Sequence, residues 1–193
     1  MEKKQVYFRQ GAKVALRLVL EEDIPTYHSF MNNPEVTQFL AAYLPISLNQ
    51  EHEWYEKVCK PKPDDMTFAI VDKENDVLIG AIGLHKIDRQ NLTATTGASI
   101  GDQSYWGKGY GTEAKMLLLE FAFNELNLRK IYSEVIGYND RSVAYSKKCG
   151  YVEEARIPEH YFRKGKYWNK IVLAVYREKW QEIWEVFSKA LPK

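Results

Sequence analysis

The chain has 193 residues, and its 27 Lys+Arg against 26 Asp+Glu leave a formal net charge of +1. That balance argues against a nucleic-acid partner held by bulk charge, and 45% apolar with 27% charged residues is a globular rather than a disordered composition. The length suits a single domain over 1–193 with a sizeable core, and the longest apolar runs, Met116–Leu119 and Ile171–Tyr176, fall far short of the roughly 20 residues that span a bilayer.

Met1-Glu2-Lys3-Lys4 leads into no apolar stretch of a signal peptide, so a cytoplasmic location without a membrane partner is expected, with Cys59 and Cys149 reduced. In chain order, Val14 to Leu18 reads as a strand, with Gln5 to Arg9 pairing to it across Gln10-Gly11-Ala12. Asp23 stands where an N-cap belongs, before Ile24, Tyr27, His28 and Met31 at helical spacing. Asn32-Asn33-Pro34 breaks that helix, and a short one follows around Val36 to Leu40. Ser47, with Glu51 and Glu53 downstream, opens a third that runs to about Cys59. The polar loop Lys60 to Asp65 then leads into three strands, Thr67–Val71, Val77–Ile87 and Leu92–Ile100, joined by hairpin-like polar loops.

Thr112 to about Leu126 is an apolar helix that should be mostly buried. Lys130–Ile136 reads as a strand, and Asp140–Cys149 as a helix with Gly150 at C′. Strands Tyr151–Ile157 and Lys170–Val175 enclose a loop, Glu159–Trp168. The last segment, residues 178–190, sets Trp180, Ile183, Trp184 and Phe187 on one helical face, suited to cover the sheet or a second subunit of a homodimer. Hairpins followed by a βαβ unit imply an α+β domain, a mixed and mostly antiparallel sheet with helices on both faces.

Four of the eleven glycines, Gly101, Gly107, Gly109 and Gly111, fall within eleven residues between a strand and a helix. Such a loop can present consecutive N–H groups. The helix start behind it adds unpaired donors and partial positive charge. Together they suit a phosphate or pyrophosphate, with Lys108 as a mobile cation. The loop is not a Walker loop, since no Ser or Thr follows the Gly-Lys pair, and a Rossmann reading fits poorly after antiparallel strands. A plain glycine turn, or another phosphate ligand, stays open on spacing alone.

Tyr105-Trp106-Gly107-Lys108-Gly109-Tyr110-Gly111-Thr112-Glu113-Ala114 resembles the acyl-CoA motif of the GCN5-related N-acetyltransferases, Gln/Arg-x-x-Gly-x-Gly/Ala, with Trp106 in place of Gln or Arg. Asn139 to Tyr151 resembles the second signature of that family, Asn followed by a helix ending in Gly-Phe/Tyr, and begins 28 residues after Gly111. The likeness extends over Val14 to Tyr176. Asn33-Pro34-Glu35-Val36, Gly80 to Leu84, Asn139-x-x-Ser142 and Gly165-Lys166-Tyr167-Trp168-Asn169 are most similar to the ribosomal-protein N-terminal branch.

The resemblance implies an acetyl-CoA-dependent N-acetyltransferase without a metal, with a splayed CoA-binding cleft. The acceptor it implies is a protein N-terminal α-amine. A polyamine, amino sugar or aminoglycoside is the alternative, and a non-catalytic acyl-CoA-binding module a further one. Backbone N–H groups of Gly107, Lys108, Gly109, Tyr110, Gly111 and Thr112 would take the pyrophosphate. The pantetheine arm would lie along Ser99, Ile100 and Gly101, with an N–H of Ile100 or Gly101 polarising the acetyl oxygen. Asn139 would bond the same arm or cap its helix.

The usual acid, a Tyr seven positions after the Asn, is Ser146 here. Ser142, on one helix face with Ser146, is the expected acid or thiol contact, and Tyr145 the alternative. His85, Glu134 and His160 are candidate bases, beside proton loss to ordered water. Glu35, His85 and His160 would also contact the acceptor. Aromatic residues Tyr43, Trp54, Tyr55, Tyr161, Tyr167 and Trp168, with Glu51, Glu53 and Glu159, would wall a groove for a cationic amine.

Overall fold

A computed structural model describes residues 6–60 and 62–191. The stretch read for a signal peptide, the first residue of the Gln5–Arg9 strand and Pro61 of the polar loop lie outside the described residues. The strands are β1 (Arg9–Gln10), β2 (Val14–Leu18), β3 (Met66–Asp72), β4 (Val77–Asp88), β5 (Thr93–Ile100), β6 (Lys130–Ile136), β7 (Val152–Arg163) and β8 (Lys166–Tyr176). The helices are α1 (Ile24–Met31), α2 (Pro34–Thr37), α3 (Leu48–Cys59), α4 (Tyr110–Asn124), α5 (Asp140–Lys148) and α6 (Arg177–Phe187). All eight strands join one sheet in the order β1-β2-β3-β4-β5-β6-β8-β7. Every pairing is antiparallel except β5 with β6.

Local chemistry places the helices on the two faces. Ser47 accepts from the Gln50 N–H at 3.3 Å while Gln50 Oε1 accepts from the Ser47 N–H at 2.8 Å. This reciprocal cap starts α3, so its partner is Gln50 and not the glutamates downstream. Asp23 holds the N-cap position of α1, but its side chain makes no capping bond. Its carboxylate takes both Arg17 guanidinium nitrogens, at 2.6 and 2.7 Å, and the Leu20 N–H at 2.8 Å. Asn33 caps α2 by accepting from the Glu35 N–H, and Pro34 supplies its first turn.

Leu118, Leu119, Met116 and Phe123 of α4 are buried against Leu16, Ile70, Ile82 and Val175 on one face of the sheet. On the other face Tyr27 of α1 and Trp54 and Val58 of α3 pack over Ala69, Val71 and Leu78. The apolar face of α6 turns onto the same chain, with Trp180 buried and its ring 5.1 Å from Phe123. No helix among the described residues is long and apolar enough to cross a membrane.

Two expectations change. The segment Glu159–Trp168 is not a loop but the outer half of a β7–β8 hairpin turning at Lys164-Gly165, both at positive φ. A bulge between Ile157 and Tyr161, with Glu159 at φ +49°, breaks the alternation by which the strand would have been recognised. And α4 starts at Tyr110, two residues earlier than its apolar run, because Gly109 itself occupies the cap position.

Candidate active site

The parallel pairing of β5 with β6 covers only Thr93–Thr95 against Lys130–Tyr132. Beyond it β5 continues to Ile100 and β6 to Ile136, and the strands part around a cavity of about 470 Å³. The register decides what β5 offers there. Gly101 donates its N–H to Ile79 O at 2.8 Å. Ladder bonds alternate along an antiparallel pair, so Ser99 and Gly97 also face β4, while Ala98 and Ile100 turn their N–H groups toward the gap.

This corrects one assignment. The Gly101 amide is engaged elsewhere, its Cα is packed so closely that a Cβ would lie 2.0 Å from the Phe30 ring, and it does not line the cavity. Ser99 and Ile100 do line it. An extended ligand could pair with Ala98 and Ile100 as an added strand would.

At the far end Gly107 (φ +74°) and Gly109 (φ +92°) adopt backbone conformations that a Cβ disfavours, with open space where side chains would be. The turn aims the start of α4 into the cavity, whose wall includes Gly107, Gly109, Tyr110, Gly111 and Thr112. The N–H groups of Tyr110, Gly111 and Thr112 lie in the first turn, where no intrahelical carbonyl can reach them. Glu113, which would oppose an anion, is turned away and accepts from the Lys13 and Val14 N–H groups. Lys108 lies in the turn but outside the wall. Trp106 lines the cavity and ties the loop to β5 through its indole N–H, 2.8 Å from Ile100 O.

The opposite wall is α5. Asn139 Oδ1 accepts from the Ser142 N–H at 3.1 Å and so caps the helix, leaving its NH₂ for other partners. The cavity face of α5 carries Arg141, Ser142, Tyr145 and Lys148. Ser146 is fully buried on another side, its hydroxyl without a partner among the described residues. The pairing of Ser142 with Ser146 expected from their spacing is therefore replaced by Ser142 with Tyr145. Arg141 stacks its guanidinium 4.0 Å over Trp106 and 4.8 Å over Phe39. Neither it nor Lys148 has an ion-pair partner among the described residues, so this part of the cleft is electropositive.

The face of the sheet that carries α1 and α3 is the other approach. His85 shares it with Gly97 and Ser99, because directly paired residues project to one side. The ring fits because position 83 has no side chain: a Cβ there would fall 2.8 Å from His85 Nε2. A Cβ at Gly97 would lie 3.6 Å from the same nitrogen, and Gly97 lines the cavity. Nδ1 sits 2.8 Å from Asp65 Oδ1. With the proton on Nδ1, that carboxylate accepts the hydrogen bond and Nε2 is left as an acceptor; the ring stands behind Gly97 and is not itself part of the cavity wall. Glu134 lines the cavity from β6 and pairs with Lys170 at 3.3 Å.

Glu35 and His160 are exposed and stand outside the cavity wall. Thr96, Gly97, Arg141 and Lys148 line it without having been singled out from sequence. For Arg141 a signal existed, since the motif's missing cation invites a search for one nearby. Among the described residues no cluster of three or more His, Cys, Asp or Glu side chains is placed to hold a metal.

Comparison with known proteins agrees with this geometry. A family model described as acetyltransferase (GNAT) domain matches residues 13–152. The spermidine N(1)-acetyltransferase of Vibrio cholerae is 27% identical over 157 residues, 81% of this chain and 89% of that protein. An uncharacterized N-acetyltransferase of Bacillus subtilis, the prophage-derived YokL, is 27% identical over 91% of this chain and 97% of its own. The solved structure of the Vibrio cholerae spermidine enzyme with CoA and spermine superposes with a TM-score of 0.80 at 25% identity, covering 88% of this chain and 99% of that one.

Proposed function

Because the chain belongs to the GNAT family and is an acetyl-CoA-dependent N-acetyltransferase, we propose that its acceptor is a primary amine of a polyamine. The support is the likeness to spermidine acetyltransferases over most of both chains. This replaces the protein N-terminal acceptor expected from the ribosomal-protein likeness, a branch that none of these relatives represents. One observation carries the chemistry: an unpaired β5 edge leads straight into a helix N-terminus at the turn Gly107–Gly109.

In this reading residues 14–176 form the catalytic unit. The amides of Tyr110, Gly111 and Thr112 hold the pyrophosphate. Arg141, stacked on Trp106, supplies the cation that the motif elsewhere carries in the loop. Bound acetyl-CoA supplies the thioester. The N–H groups of Ala98 and Ile100 pair with the pantetheine arm and polarise the acetyl carbonyl. His85 Nε2, oriented by Asp65, removes the proton from the acceptor ammonium, and Glu134 attracts the cationic chain. A hydroxyl of Ser142 or Tyr145 returns a proton to the departing sulfur.

A peptide N-terminus stays as a second reading on one observation. The hairpin tip carries Arg163, Lys164 and Lys166, cations that suit an acidic peptide better than a polyamine. Free-thiol release from acetyl-CoA across spermidine, spermine, acidic peptides, amino sugars and aminoglycosides separates the two. Turnover of the polyamines and a drop of about 10²-fold or more in kcat for H85A are expected. Turnover of peptides alone would overturn the polyamine reading.

A further inference from the structure

Behind the floor of the cleft lies an ionisable group that the scheme above leaves unused. Lys115 of α4 has no exposed surface, and no ion-pair partner is found for it among the described residues. Its Nζ donates to Thr96 Oγ1 at 3.3 Å and sits 4.8 Å and 4.9 Å from the ring centres of Tyr145 and Tyr151. Thr96 Oγ1 is in turn 3.2 Å from the Tyr151 hydroxyl and 3.3 Å from Tyr132 O. Cys149 completes the surroundings, its thiol pushed up to about 12 by burial and therefore neutral.

Burial opposes the charge on Lys115, while Tyr145 and Tyr151, through their charge when ionised and a hydrogen bond to Tyr145, hold the amine above the ordinary lysine range. A buried ammonium without a counter-ion is costly, and such groups gather where their charge is used. Two of the residues around this one, Thr96 and Tyr145, also line the cavity. Ser142 shares the cavity face of α5, but among the described residues Lys115 Nζ donates to Thr96 and not to Ser142.

We propose that Lys115 is a positioning residue that makes Tyr145, rather than Ser142, the proton donor to the leaving sulfur. As the acceptor nitrogen bonds to the acetyl carbon and the C–S bond breaks, the sulfur takes the phenolic proton of Tyr145. The buried ammonium lowers the cost of the phenolate that remains. That phenolate is reprotonated through water by the second proton that the nitrogen sheds as the amide forms, and the first, lost by the acceptor ammonium, is the net product. The role rests on the acetyl-transfer reading but on no choice among acceptors.

The test follows thiol release against pH for the wild type, K115M, Y145F, S142A and the double variant K115M/Y145F, with any amine that the wild type acetylates. Methionine preserves length and apolar bulk. K115M should lower kcat by about tenfold or more and move the basic limb of the kcat profile to higher pH. Y145F should abolish that limb, and adding K115M to it should change kcat little, since the two act as one unit. K115R should leave the limb near its wild-type position. Multiplicative losses in the double variant, an unmoved limb in K115M, or loss of the limb in S142A instead of Y145F would each overturn the proposal. If K115M does not fold, the limb in K115R and its loss in Y145F rather than S142A keep the proposal open to refutation. An enzyme silent toward every amine would count against acetyl transfer itself, whereas an active enzyme without coupling refutes only the part given to Lys115.

Discussion

Arg141 and Trp106 lie on separate elements, and only their stacking makes them one device. If the guanidinium meets the pyrophosphate, R141A should raise KM for acetyl-CoA by about tenfold or more, the worth of a charge-assisted contact. KM for acetyl-pantetheine, which lacks that group, should stay as in the wild type; equal losses on both would point to a packing role. Glu51 of α3 supplies a second expectation. It is almost fully buried, one carboxylate oxygen lacks a partner among the described residues, and burial raises its pKa while His28 pulls it down. The folded chain therefore holds this proton more tightly than the unfolded chain, and ionisation costs stability as pH rises through the folded value. E51Q should melt higher than the wild type at pH 8 and match it below the ordinary carboxylate range, where both are neutral. Thermal melts at the two pH values check it.

The β7–β8 hairpin acts as an element by holding another one. Arg163 donates to Ala41 O at 3.1 Å and stacks 3.8 Å from the Tyr43 ring. Lys164 Nζ reaches Gln38 Oε1 at 2.7 Å, and the Tyr138 hydroxyl donates to Gln38 O. These bonds position Phe39, Leu40 and Ala41, which line the cavity. R163A should raise KM for the amine by roughly three- to tenfold, the scale of one charged hydrogen bond, while KM for acetyl-CoA stays near its wild-type value in steady-state kinetics. Spacing shows which residues of α5 share a face, but the seat of Val143 and Ser146 in the core decides which face meets the cleft, and that is set by distant strands. His85 was a candidate from its side-chain chemistry alone. Its fitness depends on Asp65, twenty residues away, on Gly97 of β5, and on Gly83, two residues before it in β4.

At the scale of the whole molecule, the order of elements and the parallel step from β5 to β6 were legible, because hairpin loops and an apolar crossover helix leave plain marks in the chain. The insertion of β8 between β6 and β7 was not, since strand order depends on which edges find each other last. The three-residue contact of β5 with β6 has a mechanical meaning: β1–β5 and β6–β8 are two blocks joined along a short seam. Coenzyme laid in the opening would close the fabric like a missing thread and stiffen one block against the other. Deuterium uptake should register this one amide at a time. Ala98 and Ile100 should exchange quickly in the bare protein and slowly once CoA is added, whereas Ser99 and Gly101, already bonded to β4, should be slow in both.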